Sequence, residues 1–360
     1  MEHKEKARRG RMKKLGTVLM KILCVLLETV LLLLLAVLAV VYILEKGPSP
    51  TARDLFVRSV RETSAMGWVA NLFLSESEIA EITATAPAQE YADTDVSLIQ
   101  IADPTRPDDP DEPAQPDTWG LVDEDGDGII IETVSGVGYS GYMMIVLDPS
   151  RVILASVPTS YGGRGYTVEQ MVEKFGGVAG INAGGFDDPN GTGNGSIPDT
   201  MVVFEGKVYY AEYGCARGFA GLDADSILHV GMFTASQIAE KNIQYGVAFG
   251  PVLVSNGEKS SSATLSSGVN PRTGIGQRSD GAMLLLVIDG RQVSSMGATY
   301  EDMADIFLSY GAVNALNLDG GSSSMMYYGG EYINNCASVV GVRPVPTAFV
   351  VLPQEGDSDG

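Results

Sequence analysis

Residues 317–328 read NLDGGSSSMMYY, immediately after an apolar run and immediately before the Gly329-Gly330 pair. Ala315 and Leu316 read as the end of a buried strand, which puts Asp319 at the strand's exit. Gly320 and Gly321 then permit a turn with positive φ. Ser322, Ser323 and Ser324 follow on a segment that returns as a second strand through Met325 to Tyr328. An acid and three hydroxyls are thereby crowded into one loop mouth, as a polar ligand requires. Gly, Asp and Ser are also ordinary turn residues, so a solvated turn fits the same letters.

The chain around this stretch has 360 residues, of which 45% are hydrophobic and 43 are glycine, enough for one large domain with appendages. Its net charge of −21 hides an asymmetry. The first fourteen residues carry Lys4, Lys6, Arg8, Arg9, Arg11, Lys13 and Lys14 against Glu2 and Glu5, so everything downstream is more acidic than the total. Nucleic acid is excluded as a partner, because phosphate backbones want a basic face. With two histidines, His3 in the basic tail and His229, a multi-His zinc site is excluded, and a Ser-His-Asp triad would depend on His229 alone. Cys24 lies in an apolar run; Cys215 and Cys336 could form one disulfide but give no framework.

Residues 22–44 are almost wholly apolar, with Glu28 the single charge, and at about 1.5 Å per residue they span a bilayer. The expectation is a basic cytoplasmic tail (1–14), a transmembrane helix (15–46) and an extracellular remainder, by the positive-inside rule. The run is too long for a signal peptide's apolar core. Residues 51–82 read as helical, with Leu55, Phe56, Val60, Trp68, Val69, Leu72 and Phe73 apolar and a capping box in Ser75 and Glu78. A juxtamembrane stalk over 47–100, serving as a homo-oligomer contact or as core, is expected. Pro104, Pro107, Pro110, Pro113 and Pro116 recur at every third position among acids, the polyproline II period, so 101–120 reads as an extended linker. The main domain is then 121–354, with an acidic tail at 355–360.

That domain reads as strand-rich, with strands at 129–134, 142–148, 152–156, 178–182, 200–204, 207–211, 247–255, 282–288, 313–318, 325–328 and 345–352. Helices are expected at 167–175 and 299–310, and a hairpin turn at Glu205-Gly206. Strands adjoining through short turns predict α+β, with a mixed or antiparallel sheet, rather than a doubly wound fold.

Several motifs fail on inspection. Asp123, Asp125, Asp127 and Gly128 imitate an EF-hand loop, but its twelfth position is Val134, so an acidic turn is the better reading. Gly136, Gly138 and Gly141 satisfy GxGxxG without a following helix, which makes a hairpin. The GGSSS run lacks the last glycine of a nucleophile elbow. The Asn190 and Asn194 sequons sit in a Gly-Asn loop where composition gives them by chance.

Four polar loops remain at the ends of apolar strands: NAGGF at 182–186, NPRTGIGQ at 270–277, DGR at 289–291 and NLDGGSSS at 317–324. They bring two carboxylates, amides, hydroxyls and an arginine, an inventory suited to a sugar joined to phosphate. Asp289-Gly290 taken alone is an ordinary turn, and Arg272 taken alone an ordinary surface ion pair.

In this order, and with RPV at 343–345, these motifs resemble the phosphodiester glycosidase family over roughly residues 141–352. Bacterial members of that family include exopolysaccharide-biosynthesis-type proteins. The resemblance implies hydrolysis of a carbohydrate phosphodiester, releasing the sugar. The matching positions are Asn182, Gly184, Gly185, Arg272, Thr273, Gln277, Asp289, Gly290, Asp319, Gly320, Gly321 and Ser322. The expected catalytic residues are Asp319 as nucleophile or base, Asp289 as the next choice for that same role, and Arg272 on the departing phosphate. The remaining matches, with Ser324, are assigned to substrate binding, and no metal or cofactor is required. Where family members commonly read NGGFF and DGGGS, this chain reads NAGGFDD and DGGSS, which bears on the sugar more than on the reaction.

Overall fold

The structure, a computed structural model, describes residues 2–63, 66–84, 93–101, 116–187, 194–210, 217–261, 267–338 and 341–354. The polyproline period, Cys215 and the Asn190 sequon lie outside them, apart from Pro116. The chain forms two compact units, one of 1–61 with 66–83 and one of 62–65 with 84–360.

In the first unit α1 (Glu2–Lys46) contains a stretch, Lys14–Lys46, long and apolar enough to cross a membrane. The helical stretch read over 51–82 consists of α2 (Pro50–Arg61), a 3-10 turn (Gly67–Asn71) and α3 (Glu76–Thr83). The breaks between them let Val57, Ala70, Leu74, Ile79 and Ile82 close on one another as a small core. The Ser75 and Glu78 box is present: Glu78 N donates to Ser75 Oγ at 3.3 Å and Ser75 N to Glu78 Oε2 at 2.8 Å.

The second unit is built from strands. In chain order they are β1 (Ile129–Gly136), β2 (Tyr139–Val146), β3 (Val152–Ser156), β4 (Ala179–Asn182), β5 (Val202–Phe204), β6 (Lys207–Tyr209), β7 (Arg217–Asp223), β8 (Leu228–Phe233), β9 (Ile243–Ala248), β10 (Val252–Ser255), β11 (Glu258–Lys259), β12 (Arg272–Arg278), β13 (Met283–Ile288), β14 (Ala312–Asn317), β15 (Met326–Tyr328), β16 (Glu331–Tyr332) and β17 (Thr347–Val351). Among the described residues, three α-helices accompany them: α4 (Val168–Phe175), α5 (Ala235–Glu240) and α6 (Tyr300–Ser309). The strands make three sheets, ordered β1-β2-β13-β12-β14-β10-β11, β16-β15-β4-β17-β3 and β6-β5-β9-β7-β8. Their pairings are antiparallel, which makes the unit α+β.

All three sheets contribute to one core: Met144, Ile275, Leu285 and Leu316 from the first meet Ile181 and Phe349 from the second and Val230 and Val247 from the third. The first sheet's other face is covered by α6 through Met303 and Phe307. Burial on both faces explains why β13, MLLLVI, is an unbroken apolar run.

Two expectations need correction. Residues 247–255 are two strands, because Gly250-Pro251 interrupts the run and a proline cannot donate to a ladder. NPRTGIGQ is largely strand β12 rather than a loop, buried throughout and paired with β13 and β14. The Glu205-Gly206 turn has positive φ at both positions, 51° and 71°, and the 136–141 glycines form the β1–β2 hairpin as expected.

Candidate active site

Asp319 leaves β14 beside β12 and β4. Its N–H donates to Ala183 O at 2.9 Å, and its carbonyl accepts from Asn182 Nδ2 at 2.6 Å. Asn182 Oδ1 in turn accepts from Thr273 Oγ1 at 2.9 Å and Met325 N at 3.1 Å. Asn182 and Thr273 are thus spent on holding the Asp319 backbone, and both are buried. The turn beyond is closed by Gly321 N donating to Pro271 O, with Gly321 at φ 63°, where a β-carbon would be strained.

The Asp319 carboxyl is pushed up to about 7, first by loss of water around it and then by the negative charge of Asp199; a hydrogen bond from Ser323, the charge of Arg343 and the Gly320 N–H work against the rise. Arg343 also donates to Ser322 Oγ at 2.9 Å and stands over the Phe186 ring at 5.1 Å. A carboxyl titrating near neutrality, with a hydroxyl and a guanidinium beside it, is equipped to accept a proton next to an anionic group.

On the Pro271 side of the turn, Arg272 is buried and lies 4.2 Å over the Tyr300 ring. Its Nε donates to Ala298 O, and Nη2 to Gly268 O and Glu62 Oε2. Glu62 belongs to this same unit, and its carboxylate also accepts from Gly268 N and Asn270 Nδ2, each at 2.8 Å. Arg291 donates to Asn270 Oδ1 and Thr63 Oγ1, both at 3.1 Å. A β-carbon on Gly321 would come within 3.3 Å of Arg291, so Arg291 borders the Gly320-Gly321 turn. Two guanidiniums therefore flank a carboxylate held by three donors, an anion seat beside the Asp319 turn.

Asp289 stands apart in role. Its carboxylate accepts from Asn334 Nδ2 at 3.1 Å, Asn335 N at 2.9 Å and Asn335 Nδ2 at 3.1 Å, which clamps the 334–335 loop. Gly290 packs against Pro271, where a β-carbon would lie 2.6 Å from Pro271 N. Gly184 donates its N–H to Thr347 Oγ1 at 3.0 Å. Ser324 Oγ is buried without a hydrogen-bond partner among the described residues. Gln277 is not brought to this cluster: at the far end of β12, its amide accepts from Leu228 N and donates to Ser226 O and Gly281 O. Cys336 is a free thiol that donates to Ser322 O at 3.7 Å. His229 is committed to Asp223, at 2.8 Å, within the β7–β8 hairpin. The carboxylates of Asp123, Asp125 and Asp127 lie close together, with Asp123 accepting from Gly126 N and Gly128 N, as in an acidic turn.

Residues 175–352, which carry β4, β12, β14 and the Asp319 turn, match the phosphodiester glycosidase family. These residues form a phosphodiester glycosidase-family domain. The domain's region is 32% identical over 205 residues to the SPbeta prophage-derived uncharacterized protein YomE of Bacillus subtilis (strain 168), covering 54% of this chain and 30% of that one. It is 26% identical over 220 residues to the Mus musculus N-acetylglucosamine-1-phosphodiester alpha-N-acetylglucosaminidase, covering 54% of this chain and 41% of that enzyme. The chain thus spans less than half the length of these two curated relatives. In fold the glycosidase-family domain is similar to the zebrafish N-acetylglucosamine-1-phosphodiester alpha-N-acetylglucosaminidase catalytic domain, described as auto-inhibited by its pro-peptide. That similarity has a TM-score of 0.52 at 20% identity and covers 62% of this chain and 82% of that one.

Sequence reasoning passed over Asp199, Arg291 and Glu62 as site residues. Asp199 and Glu62 carry no motif and arrive by tertiary folding; Arg291 was legible only as the third letter of DGR.

Proposed function

We propose that this protein is a membrane-anchored extracellular hydrolase that cleaves sugar-1-phosphodiester linkages in cell-surface glycans of the exopolysaccharide, capsule or teichoic-acid-like kind. The observation that carries the proposal is Asp319, a partly buried carboxyl pushed up to about 7 beside Ser323 and Arg343. A phosphate monoester leaves an anomeric carbon without strong acid assistance. The site therefore needs a base for water and positive charge for the departing phosphate, and a base tuned near neutrality suits the first task. Asp289, saturated by Asn334 and Asn335, serves the site as a loop clamp.

Arg272 and Arg291 suit the second task. The Glu62 carboxylate marks the seat, and a phosphate oxygen would replace its Oε2 on Arg272 Nη2. Arg272→Lys keeps the charge but cannot hold the Ala298 carbonyl and the anion at once, so turnover should fall by about 30- to 1,000-fold. Near-normal activity of that variant removes Arg272 from the phosphate role. The apolar run of α1 and its basic flank support the anchored, outward-facing arrangement.

The test is release of reducing sugar from the methyl diester of N-acetylglucosamine 1-phosphate and from related sugar-1-phosphodiesters. Turnover supports the reading; saturable binding without turnover would make the domain a glycan-binding or assembly protein on the same fold.

A further inference from the structure

We propose that Asp199 is a second catalytic carboxylate, which is held beside Asp319 at the 183–185 loop and stabilises the positive charge that develops at the anomeric carbon. The inference rests on the hydrolase reading above and adds a residue that no motif marks.

The loop geometry places the two acids. Asp319 N donates to Ala183 O at 2.9 Å, and Asp199 N donates to Gly185 O at 3.3 Å, so both backbones hang from one tripeptide, two residues apart. The adjoining isolated bridge between Phe186 and Pro198 keeps the Asp199 segment beside that loop. Gly185 makes the room: a β-carbon there would lie 2.7 Å from Asp199 Oδ2, 2.9 Å from its Oδ1 and 2.8 Å from the Phe249 ring. A side chain at 185 would push the Asp199 carboxylate away. Among the described residues, the charged groups that act on Asp319 are Asp199 and Arg343, and the negative one of these two helps to hold the Asp319 proton.

The environments divide the labour. Asp199 is exposed at the loop surface, whereas Asp319 is partly buried and is pushed up to about 7. In the step this pair supports, a water oxygen attacks the anomeric carbon and gives its proton to Asp319. The bond from that carbon to the phosphate oxygen breaks, and its electron pair leaves with the phosphomonoester. Asp199 forms no bond; its charge offsets the oxocarbenium character of the sugar as the old bond lengthens.

Two variants test this. In Asp199→Asn, a carbon-13 NMR titration of the Asp319 carboxyl should show its midpoint lowered by one pH unit or more. Turnover of the methyl diester of N-acetylglucosamine 1-phosphate should fall at least 100-fold, with KM changed less than threefold. Gly185→Ala, which keeps every charge, should lower turnover at least tenfold by displacing Asp199. An unmoved Asp319 midpoint in Asp199→Asn overturns the pairing, and a moved midpoint with full turnover overturns the catalytic role. If the wild-type protein turns over no sugar-1-phosphodiester, the hydrolase reading fails and takes the catalytic role with it, while the NMR midpoint still decides the pairing.

Discussion

At the scale of single residues, the distinguishing feature is a carboxyl that gives up its proton about three pH units later than a solvated aspartate. The folded form binds that proton more tightly than the unfolded chain, so between about pH 4 and pH 7 stability falls as pH rises. The whole penalty, on the order of 1 to 4 kcal/mol, is present above pH 7. A neutral amide in place of the carboxyl carries no such penalty. Asp319→Asn should therefore melt higher than wild type at pH 8 and close to it at pH 4, as calorimetry at the two pH values would show. A variant that melts lower at pH 8 would mean that the carboxylate stabilises the turn. The residue scale was also where the sequence was most legible: Asp319, Gly320 and Gly321 could be placed at a strand exit from the letters alone. Asp199 could not, because its position depends on a backbone hydrogen bond to a loop that ends fourteen residues earlier.

Among the elements, those with local signals were readable and those whose reasons are tertiary were not. Helix α6 shows its start in the sequence: Thr299 Oγ1 accepts from Asp302 N at 3.1 Å and Asp302 Oδ2 accepts from Thr299 N at 2.8 Å. Thr299→Ala removes half of this capping box and should cost about 1 kcal/mol, a lowered melting temperature with the site intact. An unchanged melting temperature would show the cap to be redundant with the packing of Met303 and Phe307. Strand β12 defeats the same approach. Gly274 and Gly276 face α6, where a β-carbon on either would lie within about 3 Å of Phe307, and on the other face only Ile275 is apolar. No alternation of large apolar residues survives, yet Thr273 and Gln277 find buried partners in Asn182 and Leu228 and the strand is fully interior. Strands β7 and β8 escaped similarly, through the glycines in RGFAGLD and LHVGMF.

For the molecule as a whole, composition and order carried most of the information. Excess strands with short turns predicted α+β, and the three antiparallel sheets agree. The same whole-chain view makes a prediction about topology. With a basic flank before the apolar helix, protease added to intact cells should remove the glycosidase-family domain, as it does in lysed cells. Survival of the domain on intact cells, with loss on lysis, would place it inside.

The central claim is that this domain breaks the bond between a sugar's anomeric carbon and a phosphate oxygen, with Asp319 taking the proton of the attacking water. Hydrolysis of the methyl diester of N-acetylglucosamine 1-phosphate in oxygen-18 water reads that bond directly by mass spectrometry. The account predicts the label in the released sugar, none in the phosphomonoester, and loss of the signal in Asp319→Asn with binding retained. Label in the phosphate, or full labelling of the sugar by the Asn variant, would contradict it.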